Sequence, residues 1–140
     1  MNLPFFNRPT LGKIISSSTN ESEKPAQAAV EGILRDLPDL LLVYVADIAS
    51  GRVLASYTTH RSYNPNQISL RNAKLFTLFD KYHHTHDWLG GPVLDLSVVL
   101  DEQLHHLRPF HGGKWYCFVA VLTTDANLGV LKNVTRRHTG

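Results

Sequence analysis

Apolar and polar residues alternate along this chain in two distinct periods. From Pro25 to Leu37, Ala26, Ala29, Val30, Ile33 and Leu37 recur on one face of a 3.6-residue repeat, with Pro25 suited to a first helical turn and Pro38 as a stop. Leu40 to Asp47 (LLLVYVAD) is apolar on both alternating faces, as a strand covered on both sides must be. Ala49-Ser50-Gly51 is a tight turn, so Arg52 to Thr58 returns as the second strand of an antiparallel hairpin. Asn64-Pro65 opens a helix to about His84, whose main apolar stripe is Ile68, Leu75, Phe76, Phe79 and Tyr82. Leu70 and Ala73 lie roughly opposite and Leu78 on a flank, which is more apolar surface than one sheet face needs.

Three strands follow. Pro92 to Leu100 alternates Leu94, Leu96, Val98 and Leu100 against a mixed face of Val93, Asp95, Ser97 and Val99. Leu104 to Phe110 is weaker, with Pro109 at a strand end or edge. After a turn at His111-Gly112-Gly113-Lys114, Trp115 to Thr123 is apolar on both faces. Asp125 is the expected N-cap of a last helix through about His138, carrying Leu128, Leu131 and Val134. The order α-β-β-α-β-β-β-α, with hairpins joining successive strands, predicts an α/β (α+β) three-layer sandwich: one five-stranded antiparallel sheet, the two wholly apolar strands central, helices on both faces. Residues 1–24 are expected to be a flexible tail and linker, with the domain at 25–140. The tail's Phe5, Phe6, Leu11, Ile14 and Ile15 suit either disorder or a short peptide that adds to this sheet or a partner's.

Composition adds exclusions. The 140 residues are 43% hydrophobic and carry a formal charge of +2, too little to argue for a nucleic-acid groove. The single cysteine, Cys117, excludes an internal disulfide and any multi-cysteine zinc site, and its apolar neighbours favour an inert buried thiol. Without a membrane-length apolar run or a signal-peptide core, the expectation is a cytoplasmic chain with no membrane insertion. The neutral total hides a local imbalance: Arg52, Arg61, Arg71, Lys74 and Lys81 stand against Asp80 alone.

Chemical motifs are sparse. Gly112-Gly113-Lys114-Trp115 lacks the spacing of a phosphate loop and reads as a hairpin turn, and neither GxGxxG, GxSxG nor HExxH occurs. Eight histidines are the compositional oddity. His83 and His86, three apart near a helix end, are the candidate metal ligands, with His105, His106 and His111 as further donors. The competing reading is a solvated helix end. No catalytic residue and no cofactor is assigned.

The element order, Val43-Tyr44-Val45-Ala46-Asp47 followed by Gly51-Arg52-Val53-Leu54-Ala55, and Val119-Ala120-Val121-Leu122-Thr123 followed by Asn127-Leu128-Gly129-Val130 together resemble the roadblock/dynein light chain family. The resemblance covers about residues 25–140; the histidine-rich middle and short last helix depart from it. It implies a roadblock/profilin-like fold and a non-enzymatic module that homodimerises through its third strand and central helix. Carried onto this chain, that interface takes in Leu70, Ala73, Lys74, Leu78, Val93, Asp95, Ser97 and Val99. The resemblance also implies a small Ras-like GTPase as partner, met by Arg71 and Lys81, with a GTPase-activating or a purely scaffolding role. The rival from another class is a metal-binding sensor or enzyme built on the histidines.

Overall fold

The computed structural model describes residues 14–16 and 20–140. The elements are β1 (Ile15–Ser16), α1 (Lys24–Asp36), β2 (Leu42–Asp47), β3 (Val53–Thr58), α2 (Ser69–Thr85), β4 (Leu96–Val99), β5 (Gln103–Phe110), β6 (Trp115–Leu122) and α3 (Leu128–Thr139). They form a single antiparallel sheet in the order β1-β3-β2-β6-β5-β4. The expected five strands become six, because Ile15 and Ser16 pair with Ser56 and Ala55 on the outer edge of β3. A two-residue strand is too short for any alternation to announce it. Within the stretch read as linker, Glu21–Glu23 also forms a helical turn, capped by Asn20. Phe5, Phe6 and Leu11 of the proposed docking peptide, and 17–19 of the linker, lie outside the described residues.

The doubly apolar strands β2 and β6 are neighbours at the centre. One face of the sheet, with Val43, Val45, Cys117, Val119 and Val121, packs against Ala26, Ala29, Val30 and Ile33 of α1 and Leu131 and Val134 of α3. The other, with Leu42, Tyr44, Ala46, Leu107, Tyr116 and Phe118, packs against α2 through Ala73 and Phe76. Among the described residues no helix is long and apolar enough to cross a membrane.

Several local expectations change. α3 is capped by Asn127, not Asp125: the Asn127 Oδ1 accepts from the Val130 amide at 2.9 Å, while the Asp125 amide closes a turn onto the Leu122 carbonyl. Asn64 caps a separate short turn, Pro65–Gln67, and α2 starts only at Ser69. β4 shrinks to four residues, so Val93 lies outside its alternation and packs half-buried against the core beside α2 rather than on the mixed face. The 111–114 segment is the β5–β6 hairpin turn, with His111 at φ 56° and its ring stacked on Trp115 at 3.9 Å.

Candidate functional site

The seating of α2 explains what it leaves exposed. Gly51 in the β2–β3 turn has φ 74°, and a Cβ there would stand 2.6 Å from the Leu70 Cα, so only glycine lets the start of α2 approach so closely. The Ser69 hydroxyl donates to the Gly51 carbonyl at 2.6 Å. Beneath, the Tyr116 hydroxyl donates to the Ser69 carbonyl at 2.6 Å and lies 2.7 Å from the Tyr44 hydroxyl. Tyr116 has one proton and gives it to Ser69, so Tyr44 donates to Tyr116, and the Asn72 amide donates to Tyr44 at 3.0 Å. Burial pushes the Tyr44 phenol up to about 12, and the Tyr116 phenol higher still, so the relay is uncharged at neutral pH.

This anchoring turns Ser69, Ala73 and Phe76 to the sheet. Ala73, expected on the spare face, is 1% exposed and belongs to the core. Phe79 and Tyr82, expected within the main stripe, are exposed because the helix turns the Ser69, Ala73 and Phe76 stripe to the sheet instead. Leu70, Leu78, Arg71, Lys74 and Lys81 all face outward. Past the helix, Trp88 is 76% exposed, and Leu89 and Leu94 are open as well.

The edge strand β4 is a second exposed region. Val99 is 69% exposed and Val98 and Leu100 are open, while the outer edge of β4 has no neighbouring strand among the described residues. Two residues expected at the interface have partners within the chain. Asp95 lies 4.0 Å from Arg108 and 3.8 Å from Arg136, and the Ser97 hydroxyl lies 2.8 Å from His106 Nδ1. The structure thus places Leu70, Lys74, Leu78 and Val99 on the outside with Arg71 and Lys81, commits Asp95 and Ser97 to the chain's own contacts, withdraws Ala73 into the core and half-buries Val93 against it. Sequence reasoning missed Phe79, Tyr82 and Trp88; an excess of aromatics on a helix already supplied with apolar residues was the available signal.

The histidines do not converge. His83 and His86 sit near the end of α2 with His84, whose Nε2 lies 3.5 Å from Asp80. His105 and His106 point to opposite faces of β5, and His111 stacks on Trp115. Among the described residues no group of three or more His, Cys, Asp or Glu is placed to hold a metal ion. Cys117 is fully buried, and burial pushes its thiol far above the ordinary range, away from nucleophilic chemistry. An apolar cavity opening on the α2 side, about 180 Å³, has Leu42, Phe118 and Ala120 as its floor and Gln103, His105 and Gln67 on its rim.

This sandwich, with one long helix on one face of the sheet and two on the other among the described residues, is the roadblock fold. It is shared with MglB of Myxococcus xanthus (TM-score 0.72, 10% identity, 87% of each chain) and with the gliding protein MglB of Thermus thermophilus (0.68, 15%, 89% of this chain and 90% of that one). A roadblock/LC7 domain from Streptomyces avermitilis superimposes with TM-score 0.65 at 16% identity, over 79% of this chain and 88% of that one. No family model matches the sequence. No curated protein matches it either.

Proposed function

We propose that this chain is a non-enzymatic interaction module of the cytoplasm, its roadblock domain spanning residues 25–140, that forms a homodimer and regulates a small Ras-like GTPase. The observation that carries the reading is the apolar surface left exposed on α2, at Leu70 and Leu78, together with the outer edge of β4, which has no neighbouring strand among the described residues. Two copies of β4 related by a two-fold axis extend the sheet through free backbone groups, and the same axis brings the two α2 helices together. Leu70 and Leu78 supply apolar contact between the helices, and Val99, on the opposite face of the sheet beside Leu104, supplies it between the strands. The fold shared with MglB supports this reading, as does the tetrameric arrangement described for one MglB structure.

Regulation works by positioning. A rigid double sheet presents Arg71 and Lys81 to the GTPase and favours one arrangement of its switch loops. No arginine is assigned to the chemistry of hydrolysis. Light scattering after size exclusion tests the dimer: a mass twice 15.7 kDa is expected, and a strict monomer at micromolar concentration overturns it. Hydrolysis assays with a Ras-like GTPase encoded beside this gene test the rest. Association that weakens with salt and with Arg71→Glu is expected; binding without any change in hydrolysis assigns the scaffold role.

A further inference from the structure

His106 is the most deeply buried charge-capable group at the β4 edge, at 1% exposed, and the proposed function does not use it. It sits on β5 directly opposite Ser97 of β4 and Val119 of β6, with its ring on the side covered by α3. Nδ1 lies 2.8 Å from the Ser97 hydroxyl, and Nε2 is buried with no hydrogen-bond partner among the described residues. The surrounding charges are Asp95 on the approach to β4, Arg108 on β5, and Lys132 and Arg136 on α3; β6 contributes only uncharged side chains here.

We propose that His106 is a proton-sensitive latch for β4: uncharged, it holds the edge strand to the sheet through Ser97, and charged, it lets the strand go. An imidazolium needs two acceptors, and the site offers one, the Ser97 oxygen. Lys132, Arg108 and Arg136 each add to the cost of that charge. Burial and these cations hold the His106 proton affinity below its ordinary value, with Asp95 opposing.

The linkage has a definite sign. With β4 closed, His106 binds fewer protons than with β4 open and the ring in water. Closure is therefore favoured above the ordinary histidine value and weakens as pH falls below it, by up to about tenfold between pH 7.5 and 5.5. The strand that gives way is β4. It has four residues, one neighbouring strand among the described residues, and mostly exposed side chains, whereas β5 is held on both sides. The latch is a property of the single chain and stands whether or not two chains pair. Where they pair through β4, acid also weakens the pairing.

Hydrogen exchange of the intact protein, corrected for intrinsic rates, tests the latch at pH 7.5 and 5.5. Protection of the Leu96–Val99 amides should fall about tenfold while that of β2 and β6 holds. In His106→Gln, which keeps a polar side chain but does not titrate, the β4 ratio should stay flat. Ser97→Ala, at an exposed position the fold tolerates, should lower β4 protection several-fold already at pH 7.5. The latch is overturned if wild-type β4 protection holds at pH 5.5, if it falls together with β2 and β6, or if His106→Gln falls equally. Should His106→Gln not fold, an unchanged β4 in Ser97→Ala overturns it.

Discussion

On the side of the sheet covered by α1 and α3, two helices seal a dry aliphatic layer in which Val30, Ile33, Val43, Val45, Val119 and Leu131 have no exposed surface. On the opposite side a single helix is fixed at its N-terminal half by hydroxyl bonds, leaving its second half and the neighbouring strand in solvent. The first arrangement gains stability from burial, which is non-directional. The second fixes one geometry with few directional contacts and keeps apolar surface free for another molecule. The fold thus has one face sealed by burial and another that leaves apolar side chains of its helix exposed.

Substitutions can break this contrast. Leu131→Ala, in the sealed layer, should cost about 3 kcal/mol in denaturant unfolding, because the deleted methyls leave a cavity that two helices and a sheet cannot close. Tyr116→Phe should cost about 1–3 kcal/mol by removing the bond that ties the Ser69 carbonyl to the sheet and leaving the buried Tyr44 hydroxyl proton without its acceptor. Its mark is faster amide exchange in α2 than in α1. The same relay sets an alkaline limit. The Tyr44 phenol titrates near 12 in the folded state and near 10 when unfolded, so the unfolded chain loses its proton first and stability falls as pH rises above 10. Thermal melts from pH 8 to 11 check this, and Tyr44→Phe should flatten the decline.

Smaller effects are expected outside the core. His138 and Arg137 hold the Asp36 carboxylate below its ordinary value, tying the end of α3 to α1. Asp36→Asn should lower the melting temperature slightly at pH 7, and the difference should close as pH falls below 3.8 through the lowered native value. Leu78→Asp has the smallest expected effect on stability, within about 0.5 kcal/mol, since the side chain is exposed. In light scattering it should nevertheless reduce the dimer to monomer. A variant that loses both stability and association would refute the contrast between the faces.

How much of this was legible follows from what periodicity encodes. β2 and β6 announce their central position because both of their faces are apolar, a signal only doubly covered strands give. The rotation of α2 about its own axis is not encoded that way. Ile68, Leu75, Phe76, Phe79 and Tyr82 form the more apolar stripe, yet hydrogen bonds through Ser69 and Asn72 turn the poorer one inward, with Phe76 buried in it and Ile68 packed at its margin. Ala73 was therefore assigned outward and Tyr82 inward. At β4, alternation holds for Ser97 and Val99 but not for Val93, which precedes the paired segment. The interface residues themselves carry no spacing rule; an exposed leucine and a core leucine look alike in sequence.

The two-residue strand β1 has a consequence out of proportion to its length. If chains associate through β4, each joined pair still carries two outer sheet margins, and such margins are sites at which growth can continue. Ile15 and Ser16 occupy that margin against Ser56 and Ala55. A two-residue outer strand is a poor template for another chain, so this margin is blunted where the longer β4 edge is not.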